Sequence, residues 1–418
     1  MVLTSALLAT SCGAPAPDKV EFRALPVAEY RDRMAAGWLG QMIGVSWGAP
    51  TEFQFLNRIF PESAVPKFRT SLVNGSFDQD DLYVEMTFLA TLDEHGLNVS
   101  PRQAGIDFAN STYPLWHANE AGRENLRAGI APPDSGHPDF TAHSDDIDYQ
   151  IESDFAGLIS PGLPDEARLL GETFGRLVTY GDGLYGGQFM SCMYTEAFFD
   201  SDPARLVDAG LACIPDESQY SEAIRDVVAW WRENPDDWEV TWALAGEKYH
   251  ENREFRKASC TALPDQLNID AKLNGAYVVL GLLYGEGDPR RTMEIAMRSG
   301  QDSDCNPSSA GGVLLTALGL DAVPEGMAAA LDEEATWIGS DYTFGDLLAV
   351  SERLAREQVH AAGGWVETDP SGEEVFMIPV QDVTPTPLEQ SWDPLPSVGS
   401  RYTERSRDRR GWAVRSTP

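Results

Sequence analysis

The chain has 418 residues, 42% of them hydrophobic and 10% aromatic, which is enough to bury a sizeable core and excludes a disordered polypeptide. Its 66 acidic and 31 basic side chains leave a formal net charge of -35, which excludes nucleic acid and anionic membrane surfaces as partners. Only five of the basic residues are lysine (Lys19, Lys67, Lys248, Lys257 and Lys272), a surface suited to a salty environment.

The first residues read MVLTSALLATSCGAPAPD. The apolar run Val2–Leu8 leading to Cys12 resembles the end of a bacterial lipoprotein signal. It predicts export, with a lipid anchor at Cys12 as the one link to a membrane. The segment departs from that pattern in having no Lys or Arg before the run and Ala9 where leucine is usual. Residues 13–25 read as a short tether, so 1–25 is taken as signal and tether. No other apolar stretch is long enough to span a bilayer. Cys192, Cys213, Cys260 and Cys305 show neither CxxC pairing nor zinc-like spacing, and their disulfide pairing is left open.

Residues 26–365 carry a mainly helical pattern. Segments such as VAEYRDRMAAGWLGQMIG, LYVEMTFLATLDEHG, YSEAIRDVVAWWREN and TFGDLLAVSERLAREQV place apolar residues three and four apart, with Gly and Pro clusters between them. The expected fold is all-α, a single large helical domain. Gly37, Gly40, Gly44 and Gly48 fall on one helical face. Each costs about 1 kcal/mol against alanine in a helix, so the close approach of another backbone is expected there. Pro50 ends that helix and leaves Glu52 in a loop.

Asp78, Asp80 and Asp81 precede an apolar helix starting near Leu82. One aspartate suffices for capping, and three exceed that need. In HSDDIDYQIESDFAGLI a helix is expected from about Asp146, with Asp148, Glu152 and Phe155 along one face and Asp154 to one side. Glu152 is expected on a solvated face. Near residue 117, Tyr113, Trp116 and His117 offer rings for stacking, although core or loop anchors are the commoner use. GDGLYGGQFM (181–190) is glycine-rich without being a dinucleotide fingerprint. Trp230, Trp231, Trp238 and Trp242 are expected to pack in the core.

At 300–312, GQDSDCNPSSAGG, Asn306 and Pro307 suit a helix N-cap and first position. Asp302 and Asp304 are then left in the preceding loop. Two carboxylates so close need a cation, and oxygen donors without nearby histidine favour Mg²⁺ or Mn²⁺ over Zn²⁺. Two adjacent ions would account for so many converging carboxylates. Beyond 365, residues 366–381 suggest a small hairpin and 382–418 a poorly ordered, Pro-, Ser- and Arg-rich tail with a docked segment; together they form a C-terminal extension, 366–418.

Three motifs in this order, G-W-L-G-Q-M-I-G-V-S-W-G-A-P-T-E at 37–52, Q-D-D-L at 79–82 and G-Q-D-S-D-C at 300–305, resemble those of the ADP-ribosylglycohydrolase family. The resemblance implies an all-α domain with a binuclear Mg²⁺ or Mn²⁺ site held by Asp80, Asp81, Asp302 and Asp304. Gln79, Leu82 and Cys305 stand where the family has threonine ligands, of which Leu82 cannot bind metal, and Val45 stands where it has aspartate. It implies Glu52, with Asp81, as the catalytic carboxylates. Asp148, Asp154 and Trp116 become substrate groups, and Gly186 and Gly187 part of a phosphate-contacting loop. The expected activity is metal-dependent hydrolysis at the anomeric carbon of ADP-ribose or a related ribosyl group, on a small-molecule or glycosylated substrate. The alternatives are a glycoside hydrolase acting on a non-nucleotide extracellular sugar, and a non-catalytic surface sugar- or nucleotide-binding protein.

Overall fold

A computed structural model describes residues 20–261 and 267–402. The lipoprotein-like segment with Cys12 and the basic end beyond 402 lie outside the described residues. The protein is mostly α-helical. In chain order the helices are α1 (Val27–Gly48), α2 (Asp80–His95), α3 (Pro101–Asn110), α4 (His117–Arg127), α5 (Asp148–Ile151), α6 (Asp154–Leu158), α7 (Pro164–Phe174), α8 (Asp182–Ala197), α9 (Pro203–Ala212), α10 (Gln219–Glu233), α11 (Trp238–Ala245), α12 (Ala271–Tyr284), α13 (Pro289–Arg298), α14 (Cys305–Leu318) and α15 (Phe344–Ala361).

Four helices are buried along most or all of their length: α1 from Met34 onward, α8, α12 and α14. They carry apolar or small residues on every side, as a central helix must. The expected glycine face is where α1 meets α14. A Cβ on Gly40 would stand 2.5 Å from the Gly311 carbonyl oxygen, and one on Gly44 2.3 Å from that of Pro307. No side chain fits, so the two backbones pack directly. Trp230, Trp231, Trp238 and Trp242 are partly buried and pack against the core.

Several expectations are corrected. Residues 22–25, placed in the tether, form strand β1 together with Pro26 (Phe22–Pro26). It pairs antiparallel with β3 (Glu374–Pro379), which also pairs with β2 (Trp365–Thr368), giving the sheet order β1–β3–β2. The hairpin at 366–381 therefore has a third strand. Residues 382–402 do not hang free. Thr386 accepts from Arg168 at 3.2 Å, Glu389 pairs with Arg176 at 3.0 Å, and Ser391 donates to Asp145. Among the described residues no helix is long and apolar enough to cross a membrane. Cys192 and Cys213 form a disulfide, joining α8 to the end of α9.

Candidate active site

The site is built where three chain segments are forced together. α1 ends at Gly48, and a short turn, Ala49–Thr51, carries the chain to Glu52. Gly300 and Gln301 both take positive φ, +81° and +56°. This sharp bend turns the 300–304 loop back over the residues after Glu52: Gln301 N–H donates to the Phe55 carbonyl and Phe53 N–H to that of Gln301, both at 3.1 Å. Gly300 is obligatory, because a Cβ there would lie 2.3 Å from the Phe55 oxygen. Thr51 and Ser303 hydroxyls share a hydrogen bond of 2.8 Å. Asp302 and Asp304 are thereby fixed opposite Glu52.

The helix after them starts at Cys305, two residues earlier than Asn306-Pro307 suggests. Asn306 lies inside α14 and donates to Asn274 at 3.1 Å, so it is not the N-cap. Asp304 occupies that position without a side-chain capping bond. On the other side, Asp80 and Asp81 open α2 and accept backbone N–H groups there. Cys305 Sγ donates to Asp81 Oδ1 at 3.2 Å. Burial and the surrounding carboxylates hold this thiol well above its ordinary pKa, and it stands here as a hydrogen-bond donor to Asp81.

These segments border a cavity of about 560 Å³, lined by Glu52, Asp78, Gln79, Asp80, Asp148, Asp302 and Cys305 together with the apolar surfaces of Phe53, Trp116, Ile147 and Ile151. Asp81 and Asp304 lie behind it, fully buried. Asp81 was expected beside Glu52 as a catalytic carboxylate; its position suits holding a ligand in place better than exchanging protons with a substrate. None of the described lining residues is Lys or Arg. A second cavity of about 620 Å³ lies between α2 and the Asn110–Tyr113 segment, but its acids Asp93, Glu94, Asp107 and Asp341 are exposed or half-buried.

The carboxylates repel one another. Burial, reinforced by Asp304 and Asp80, pushes Glu52 up to about 8. Burial raises Asp80 to about 6, with Asp148 adding to the effect, and Asp81 to about 8, with Asp80 adding. Asp304 rises to about 7, and Asp302, buried beside it, well above the usual range. Among the described residues, Asp81 Oδ2, Asp148 Oδ2, Asp302 Oδ1 and Asp304 Oδ1 are buried with no hydrogen-bond partner. Buried, unpaired and mutually repelling oxygens are the donor set of a hard divalent cation, so these residues fit the expected metal. Asp302, Asp304 and Cys305 place one ligand atom each within 4.8 Å of one another.

Asp148 does face the cavity. Its Oδ1 caps the start of α4, accepting the Asn119 N–H at 2.8 Å. Glu152, expected on a solvated face, is fully buried and accepts from the Asn119 side chain. The single helix expected here is two short ones, α5 and α6, with Glu152 and Ser153 between them. Asp154 does not line the cavity. It lies beneath, accepting from Tyr194 at 2.6 Å and Gln41 at 2.9 Å, beside Glu85. Gly186 and Gly187 are not in a loop. They sit inside α8, where Cβ atoms would strike Gln150 and the Tyr149 ring at 2.7 and 2.2 Å. Trp116 is 53% exposed at the cavity edge, whereas Tyr113 is buried against Tyr83. Asn119 was missed: its only local signal is its place in the first turn of α4.

The sequence profile of the ADP-ribosylglycohydrolase family matches residues 26–362. A solved structure described as an ADP-ribosylglycohydrolase-related protein complex is similar at 16% identity, covering 79% of this chain and 99% of that one, with a TM-score of 0.49. No curated protein matches the chain.

Proposed function

Because this chain belongs to the ADP-ribosylglycohydrolase family and is thereby a glycosyl hydrolase, we propose that it cleaves, with a divalent cation, the glycosidic bond at the anomeric carbon of ADP-ribose or a related ribosyl group. One observation carries the metal dependence: Asp81, Asp302 and Asp304 each keep a buried oxygen without a partner beside a cavity that Glu52 and Asp80 also border. Asp80, Asp81, Asp302 and Asp304 would hold Mg²⁺ or Mn²⁺, in one or two ions, with Gln79 at the edge of the set. When bound, the cation supplies a Lewis acid for the sugar oxygens and lowers the pKa of a bound water.

The protein's own groups do the rest. Cleavage at C1 passes through an oxocarbenium-like transition state. Glu52, solvent-reachable at the cavity, takes the proton of the attacking water. Asp148 is anchored through one oxygen and presents the other to a sugar hydroxyl. Trp116 offers an aromatic face at the cavity edge for a flat ring of the substrate.

A second reading, a glycoside hydrolase of a non-nucleotide extracellular sugar, is favoured by the absence of Lys and Arg from the described cavity lining, since a diphosphate usually meets cations. The Cys192–Cys213 disulfide supports export in either case. Calorimetric titration of ADP-ribose into the protein, with excess Mg²⁺ and then with chelator, separates the readings. Saturable binding that chelator abolishes supports the nucleotide sugar. No binding in either condition moves the substrate to another glycoside.

A further inference from the structure

Beside the carboxylate site lies a cluster of different chemistry. His117 opens α4 and lines the cavity; His143 and Asp146 lie in the loop before α5; Cys260 comes from the segment leading to α12. One donor atom from each lies within 4.8 Å of all the others. His143 Nδ1 is 2.6 Å and His117 Nδ1 3.6 Å from the same oxygen, Asp146 Oδ2. The Cys260 thiol also hydrogen-bonds Asp146. Asp146 is fully buried, and its other oxygen, Oδ1, has no partner among the described residues. Three donors therefore crowd around a carboxylate that they do not satisfy.

We propose that His117, His143, Asp146 and Cys260 form a zinc site, distinct from the hard-cation site of Asp80, Asp81, Asp302 and Asp304. Two imidazoles, one carboxylate and one thiol make a four-donor N₂OS set, which suits tetrahedral Zn²⁺ and is foreign to Mg²⁺. Metal–ligand lengths of about 2.0–2.3 Å put tetrahedral donors roughly 3.3–3.8 Å apart, so side-chain rotation closes the wider pairs by about 1 Å and opens the 2.6 Å His143–Asp146 pair. The Cys260 S–H bond breaks as the Zn–S bond forms, and the proton leaves to solvent.

The backbone under these donors is already tied down. Ile147 N–H donates to the Ile269 carbonyl and Ala271 N–H to that of Asp145, both at 2.9 Å, with Asp146 bridged to Asp270. Asp146 is thus held against residues 269–271, and Ser259, next to Cys260, donates to Asp270. Zinc would clamp the start of α4 to the loop before α5 and to the segment leading to α12. All three pieces, at His117, at Ile147 and Asp148, and at Ile269, border the substrate cavity. The site is a clamp on the cavity wall and takes no part in bond cleavage.

The test uses the full-length protein, stripped with chelator and reloaded with excess Mg²⁺ so that the carboxylate site is filled. Titration with Co²⁺ is expected to give, at one equivalent, the intense visible bands of tetrahedral cobalt and a thiolate-to-cobalt charge-transfer band, both erased by one equivalent of Zn²⁺. Cys260→Ser is expected to lose the charge-transfer band, and Cys305→Ser to keep it. His143→Ala should abolish the tetrahedral bands; if that variant misfolds by near-UV circular dichroism, the two serine variants alone decide. Absence of tetrahedral bands in the wild-type protein overturns the proposal. So does a thiolate band that survives Cys260→Ser and vanishes in Cys305→Ser, which would place the ion among the carboxylates.

Discussion

Gly48 and Asp304 meet backbone to backbone: a Cβ on Gly48 would stand 2.4 Å from the Asp304 Cα and 2.3 Å from the Ser303 carbonyl oxygen. The end of α1 is thereby pressed against the loop bearing two of the metal-binding candidates. Four residues later the same stretch of chain supplies Glu52. Glu52 and the carboxylate cluster are set relative to each other by a contact that only glycine permits.

Gly48→Ala is therefore expected to lower stability by about 1–3 kcal/mol, the usual cost of overpacking a tight contact. It should also displace Asp304 and weaken Mg²⁺ binding. Urea denaturation and calorimetric Mg²⁺ titration check the two effects. A variant with unchanged Mg²⁺ affinity would show that the contact does not position Asp304.

Glu52→Gln keeps the shape of the side chain and removes the base. Turnover should fall by about 10²–10⁴-fold, the usual worth of general-base catalysis, while Mg²⁺ and product still bind. Steady-state rates and product titration measure the two separately. Loss of binding together with turnover would contradict the role.

Without metal, stability should depend on pH in a definite direction. Unfolded Asp and Glu titrate near 4. In the folded protein Asp80 and Asp148 titrate at about 6, Asp304 at about 7, and Glu52 and Asp81 at about 8. Between those limits the folded state holds more protons than the unfolded one. Stability from these groups is full below pH about 4 and is lost as pH rises through 6 to 8. In chelator the melting temperature should fall across that window, and Mg²⁺ should remove most of the fall. A chelated protein that grows more stable from pH 5 to 8 would refute it.

The Cys192–Cys213 disulfide closes a loop with a sequence separation of 21 residues. Loop-closure entropy for a ring of that size is worth about 3 kcal/mol. Adding reductant, or replacing both cysteines by alanine, should lower the urea midpoint accordingly, with the m-value showing whether the transition stays two-state.

Some features could be read directly from residue order. The three- and four-residue apolar spacing of α1, α2, α10 and α15 identifies them as helices, because a buried stripe on a helix must repeat at that interval. The four glycines of α1 announce a close neighbour, since nothing else justifies their cost. Asp80-Asp81 and Asp302/Asp304 stand out because capping needs fewer acids than are present.

Other features have no local signature. Glu152 has the same surroundings in sequence as a solvated acid; in the fold it is buried and accepts from Asn119 of α4. Gly186 and Gly187 make room for a side chain as readily as for a phosphate; Gly187 accommodates the Tyr149 ring and Gly186 the Gln150 amide. Phe22–Pro26 is a strand because residues more than 340 positions later supply its partner.

The sequence by itself determined the helical class, the α1 glycine face and the identity of the four aspartates, because each rests on period, propensity or a local excess of charge. Only the tertiary structure decided which carboxylates line the cavity, that Asp81 and Asp154 lie behind or beneath it, and that His117, His143, Asp146 and Cys260 converge. Those outcomes depend on contacts between segments far apart in the chain, where loop closure and packing, not neighbouring residues, set which groups meet.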